Sequence, residues 1–93
     1  MSTEAIVKRE NIIVLAGTEH ATDVGRIVSP FGGQDSVAIS FRHVGGVDMS
    51  FLGDLMIALA VAGVKSVRAV EATPHELKFM KLVAFNADLA FAA

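Results

Sequence analysis

Strand-like and helix-like hydrophobic patterns alternate along this chain, and the alternation constrains its fold more than any other feature. Residues 36–44 alternate apolar and polar side chains, which predicts a strand with Val37, Ile39 and Phe41 on one face. Two glycines follow this strand and break it. The next segment changes from a period of two to a helical period, which is typical of a β-α unit.

A helix is predicted to begin near Ser50 and to end at Gly63, a residue type that commonly terminates helices. Its apolar residues recur at steps of three and four, which indicates one buried stripe. The stripe comprises Leu52, Leu55, Met56 and Leu59.

A second strand–helix pair is predicted in the last third of the chain. Lys65–Val70 has β character, and a helix is expected to follow it as far as Asn86. Thr73 is the predicted N-cap of this helix, because Pro74 occupies the first helical position and Glu76 completes a capping box. The inward residues are expected to be Leu77 and Met80, with Val83 or Ala84, and residues 89–91 form a short last element.

The first third of the chain carries weaker signals. Residues 4–9 and 11–16 predict a β-hairpin with its turn between them. A short helix is expected after it, capped by Thr22 and stopped by Pro30. Together the patterns predict one α/β domain over residues 1–93: a small mixed sheet with an N-terminal hairpin, then parallel β-α-β-α units with helices packed on the sheet.

Composition narrows the classes of function. The formal net charge is −2 and the basic residues are scattered, so a nucleic acid partner is not expected. No cysteine and no secretory signal pattern is present, which fits a cytoplasmic protein. The longest mostly apolar stretch, 51–64, is interrupted by Asp54 and is too short to span a bilayer, so no membrane insertion is expected.

The residue types that carry out catalysis do not form a recognisable motif. His20, His43 and His75 are too far apart in sequence for a metal-ligand motif, and no glycine-rich nucleotide motif is present. His43, Asp48 and Ser50 include the residue types of a hydrolytic triad, but no G-x-S-x-G sequence surrounds the serine. We therefore expect no enzyme activity, no metal and no cofactor, and a small-ligand binder would need a polar pocket that no motif indicates.

Ser50 is predicted at the N-cap of the central helix, where its hydroxyl accepts a hydrogen bond from a free backbone N–H. The same place suits a phosphate, because the helix dipole and free N–H groups favour negative charge. The side of the helix below Ser50 is unusually apolar, which often marks a partner site. Burial on both sides or a homodimer contact would also explain these residues, which are Asp54, Ile57, Ala58 and Val61.

The segment Asp48-Met49-Ser50-Phe51-Leu52-Gly53 resembles the hallmark of the STAS domain, Asp-Ser-Ser-Gly-Leu-Gly at a helix start. Four of the six residues match, and Met49 and Phe51 stand where the family has Ser and Gly. The order of elements from about residue 36 to 91 is also similar, with a glycine before the next strand and a proline at the following helix start.

STAS domains include bacterial anti-sigma factor antagonists, and the resemblance implies a regulatory role through protein binding. It implies that Ser50 is phosphorylated by a serine kinase that also acts as an anti-sigma factor, with Asp48 as the neighbouring acidic residue. The expected partner surface comprises Asp48, Met49, Ser50, Phe51, Asp54, Ile57, Ala58 and Val61. The alternative is a non-phosphorylated adaptor subunit of a lipid or anion transport complex or a signalling complex, with the Ile57–Val61 face as a permanent contact.

Overall fold

A computed structural model of the chain describes residues 11–92. Within this range, four strands form one sheet in the order β1-β2-β3-β4, and every neighbouring pair is parallel. The strands are β1 (Ile12–Val14), β2 (Ser36–Ser40), β3 (Ser66–Val70) and β4 (Ala90–Ala92). The predicted α/β class with parallel β-α units is confirmed, and the first hairpin strand, residues 4–9, lies outside the described residues.

Helices connect the consecutive strands. They are α1 (Val24–Val28), which is flanked by the 3-10 turns Ala21–Asp23 and Ser29–Phe31, α2 (Met49–Val61) and α3 (Pro74–Asn86). Each crossover steps to the next strand in the same direction, so right-handed connections place these helices on one face of the sheet. In agreement, α2 packs between α1 and α3.

The core lies between this helical layer and the sheet. In the strand register, Ile13, Ile39 and Ala69 lie side by side in one row, and Val37 and Val67 occupy a second row. All of them are buried. The stripe predicted for α2 is confirmed, because Leu52, Leu55, Met56 and Leu59 are completely buried against the sheet.

The ends of α2 and α3 follow the local rules that the sequence indicates. Gly63 has φ +93° and follows the last turn of α2, a conformation that glycine adopts without steric strain. At the start of α3, the backbone N–H of Glu76 donates to Thr73 Oγ1 at 3.1 Å, and the N–H of Thr73 donates to Glu76 Oε1 at 2.9 Å. The predicted capping box is therefore present.

Several predicted boundaries are wrong. Thr22 is not a cap, because the helical segment begins at Ala21 and the carboxylate of Asp23 accepts the N–H of His20 at 2.9 Å. Pro30 does not stop the helical path, since it occupies the first turn of a 3-10 segment, where its missing N–H is not needed. The strand predicted over 36–44 ends at Ser40 because the chain turns there, with the N–H of Val44 donating to the carbonyl of Phe41 at 3.1 Å.

Candidate functional site

The carboxyl ends of β2 and β3 lie at one edge of the sheet, next to the N-termini of α2 and α3. Two loops are joined at this edge by an ion pair between Arg42 Nε and Glu71 Oε2, which are 3.3 Å apart. Both side chains are more than half exposed, so this pair contributes little stability. The sequence pattern gave no signal for it, because the two residues are distant in sequence and only the strand pairing brings them together.

Asp48, rather than Ser50, is the N-cap of α2. Its carboxylate Oδ1 accepts the backbone N–H of Ser50 at 3.0 Å, and its carbonyl accepts the N–H of Leu52. Ser50 is therefore the second helical residue, and its predicted capping role is wrong. Asp48 accepts the N–H two residues after it, as an N-cap side chain does, so the helix starts two residues earlier than a serine cap would place it.

The side chain of Ser50 is exposed in the first turn of α2. Asp48 lies just before it, and Asp54 lies one turn after it on the same side of the helix. A phosphoryl group on Ser50 would add about −1.5 to −2 charge to a position that two carboxylates already flank. The helix N-terminus offsets part of this repulsion, since its dipole favours a nearby anion by about 0.3–1 kcal/mol.

Phe51 does not belong to an accessible partner surface. Its side chain is 1% exposed and packs in the core cluster. Met49 is partly buried and packs against the same cluster. The prediction that Phe51 contacts a partner is contradicted, because a large apolar side chain at this position of α2 points toward the sheet rather than into solvent.

The outer side of α2 is apolar and accessible. Ile57 is 51% exposed and Val61 is 83% exposed, while Asp54 is exposed and Ala58 is partly buried beside them. These residues follow Ser50 at helical spacing, so they form a row that runs away from the carboxyl edge of the sheet. The hypothesis that this helix is buried on both sides is therefore wrong for the described residues.

The histidines do not form a site. His20, His43 and His75 are all exposed and lie in three separate segments, each of which follows the carboxyl end of a strand. No group of three potential metal-ligating side chains comes together within residues 11–92. In addition, the Asp48 carboxylate accepts the backbone N–H of Ser50, whereas the aspartate of a catalytic triad accepts a ring N–H of the histidine.

Glu19 organises the loop that follows β1. Its carboxylate accepts the N–H of Ala16 at 2.7 Å and the N–H of Gly17 at 2.9 Å. Slight burial raises the pKa of Glu19, but the backbone N–H groups of Ala16, Glu19 and Gly17 together lower that pKa below its usual value. The pKa of Asp23 is also lowered, by the N–H of His20 and by the Arg26 guanidinium 3.0 Å away.

The strand order bears on ligand binding. Open parallel sheets bind nucleotides where the strand order reverses, because the loops diverge there and leave a crevice. In the order β1-β2-β3-β4 the described strands contain no such reversal. The carboxyl ends of the described strands therefore lie along one continuous edge.

The outer side of α3 carries two exposed apolar side chains that were not among the predicted functional residues. Leu82 is 61% exposed and Phe85 is 83% exposed. The helical periodicity indicates this exposure, because both side chains lie on the side of α3 opposite the predicted inward residues.

Comparisons with protein-family models, with curated proteins and with solved structures gave no match for this chain. Among residues 11–92, no helix is long and apolar enough to cross a membrane. The geometry therefore defines an α/β domain with a parallel four-stranded sheet, an exposed serine at one helix start and an apolar row below it.

Proposed function

We propose that the chain is a regulatory protein-binding domain similar to STAS anti-sigma factor antagonists, in which the outer side of α2 binds a partner and phosphorylation of Ser50 controls that binding. The expected partner is a bacterial serine kinase that acts as an anti-sigma factor. The protein is expected to work in the cytoplasm, where such a kinase has access to ATP.

The observation that carries this proposal is the position of the exposed Ser50 on the same helix as the exposed Ile57 and Val61. Contiguous apolar side chains on a surface helix are typical of protein contacts. The burial of Phe51 adds support, because its ring leaves the approach to Ser50 open.

Electrostatics supplies the physical basis for control. The unmodified helix start carries the carboxylates of Asp48 and Asp54, and a phosphoryl group would roughly double the negative charge there. A partner that accommodates the unmodified surface would meet like-charge repulsion and the cost of desolvating the phosphate. Phosphorylation is therefore expected to release the partner.

A second candidate function uses the same α2 surface but does not require Ser50. Val61 lies three turns away from Ser50 and is far more exposed than a valine in a core would be. A permanent contact centred on Ile57 and Val61 would suit an adaptor subunit of a transport complex. In that case the serine at the helix start has no switching role.

One experiment separates the two functions. A purified bacterial serine kinase of the anti-sigma factor type is incubated with ATP and with wild type, Ser50→Ala and Ser29→Ala, and the products are analysed by mass spectrometry. We expect one phosphoryl group on wild type and on the control Ser29→Ala, and none on Ser50→Ala. Ser29 is a suitable control because it is exposed but lies on the segment after α1.

Binding of the same kinase is then measured by calorimetry. Ser50→Ala is expected to bind like wild type, whereas Ser50→Asp and Ile57→Glu are expected to bind at least about tenfold more weakly, through repulsion and lost apolar contact respectively. If both Ser50 variants bind like wild type and Ile57→Glu does not, the adaptor function is supported and the switch is rejected. If Ile57→Glu also binds normally, α2 is not the contact surface.

A further inference from the structure

The outer side of α3 carries a row of exposed side chains that lie outside the hydrophobic core. Its members recur at steps of three and four residues, so they lie in line along the helix. We call this row the α3 stripe, and it consists of Lys78, Lys81, Leu82 and Phe85.

The stripe points away from the rest of the fold. Met80 and Ala84 of the same helix are buried in the core, and Phe79 packs toward α2, where a Cβ on Gly53 would lie 3.3 Å from its ring. The stripe residues line an open depression of about 400 Å³. All four bordering residues belong to α3, so this space is a shallow, open gap between side chains of one helix.

The two lysines of the stripe lack acidic neighbours on their own helix. Side chains three or four residues apart are in contact on a helix surface, and an acidic residue at such a position normally pairs with lysine. None of the residues at these positions is acidic, and Lys78 and Lys81 are instead three residues from each other. They repel one another weakly beside the exposed Leu82 and Phe85, so negative charge on a partner would be favourable at this surface.

We propose that the α3 stripe is a docking site for an amphipathic helix of a partner protein, one that carries acidic residues three or four positions apart beside an apolar anchor. The acidic pair would match the spacing of Lys78 and Lys81, since both pairs follow the same helical repeat. The anchor would pack over Leu82 and Phe85 and cover both exposed side chains. This surface is distinct from the α2 surface, so the inference does not depend on the role of Ser50.

An anionic membrane surface shares the same chemistry but fits the stripe less well. Stable attachment of a surface helix to a bilayer takes many basic residues and a broad apolar side. The stripe offers only two lysines and two apolar side chains on one helix, which is a small area for attachment to lipid. A partner helix is therefore the occupant that the geometry favours.

The test uses a helix-stapled peptide of about 14 residues in which Glu recurs every three or four positions beside Leu and Phe. A matched peptide carries Lys in place of each Glu, and phosphatidylserine–phosphatidylcholine vesicles form a separate arm. Binding to the full chain is followed by NMR shifts of backbone amides and by fluorescence anisotropy. The protein variants are Lys78→Glu with Lys81→Glu, Phe85→Ser, and the control Arg26→Glu, which changes an exposed charge on α1.

We expect the acidic peptide to shift α3 amides and the basic peptide to bind at least about tenfold more weakly. The double lysine variant and Phe85→Ser should each weaken the acidic peptide about tenfold, while Arg26→Glu and Ile57→Glu should bind it like wild type. Phe85→Ser is a clean probe because an exposed side chain is not needed for folding. Equal binding of both peptides, shifts confined to α2, or lysine-dependent binding to vesicles alone would overturn the proposal.

Discussion

Phe51 belongs to the buried helical pattern of α2, although the predicted stripe did not include it. The predicted stripe of α2 began at Leu52, but one turn before Leu55 the same side of the helix reaches Phe51. The structure buries Phe51 there among the largest core side chains. The periodicity alone therefore indicates that Phe51 is buried. Its assignment to the partner surface came instead from its place in the STAS-like motif.

Replacing Phe51 with alanine is expected to lower the free energy of unfolding by about 3–5 kcal/mol, because it removes a buried ring and leaves a cavity. Urea unfolding followed by circular dichroism measures the change. Val61→Ala on the same helix is the control, and its effect should stay within about 0.5 kcal/mol because that side chain is exposed. Equal losses from the two variants would contradict the assignment of inner and outer sides of α2.

Ser50 and Asp48 show what the sequence alone could not decide. Serine and aspartate are about equally good N-caps, and they lie two residues apart before the same apolar stripe. The N-cap is the residue at which the turn after β2 ends and the helix begins. Tertiary packing determines where that happens. The exposed location of Ser50 at the helix start was predicted correctly, whereas the capping role expected of its side chain belongs to Asp48.

At the scale of elements, the two predicted threonine caps had different outcomes for a physical reason. Thr73 is followed three residues later by Glu76, whose carboxylate returns the hydrogen bond. Thr22 is followed at the same distance by Gly25, which has no side chain with which to do so. In the first helical segment the equivalent bond joins two other residues, because the carboxylate of Asp23 accepts the N–H of His20.

Thr73→Ala is expected to cost about 1 kcal/mol of stability, because the N–H of Glu76 loses its acceptor at the start of α3. Thr22→Ala serves as the matched control and should change stability by less than about 0.5 kcal/mol, since Thr22 is exposed and does not cap. Thermal unfolding of the two variants under the same conditions checks the difference. A larger loss from Thr22→Ala would mean that the first helix begins where the sequence pattern placed it.

At the scale of the whole molecule, the class of fold was predictable and the detailed arrangement was not. Alternating strand and helix patterns indicate parallel β-α units, but no local pattern fixes the strand order. Residues 12–15 are all apolar, as in a strand buried on both sides, yet Ile12 and Val14 are 40% and 53% exposed. The reason is topological, because consecutive right-handed crossovers place α1, α2 and α3 on a single face of the sheet.

Stability of the whole domain is expected to fall in acid, because Glu19 and Asp23 both have lowered pKa values in the folded state. A carboxyl group with a lowered folded-state pKa stabilises the fold above its unfolded pKa, and this contribution is lost as the pH falls through the folded value. The ordinary values are about 4.3 for Glu and 3.9 for Asp, so the loss begins near these values and continues below them.

Glu19→Gln should flatten part of this acid dependence, because an amide in place of the carboxylate does not titrate. Urea midpoints measured at about pH 7, 5 and 3 test this, with Glu71→Gln as the control. Glu71 is an exposed carboxylate whose described ion pair is with Arg42. Its replacement should therefore leave the dependence of stability on pH close to that of wild type. If Glu19→Gln keeps the full acid dependence while Glu71→Gln removes it, the loop after β1 is not the acid-sensitive part of the fold.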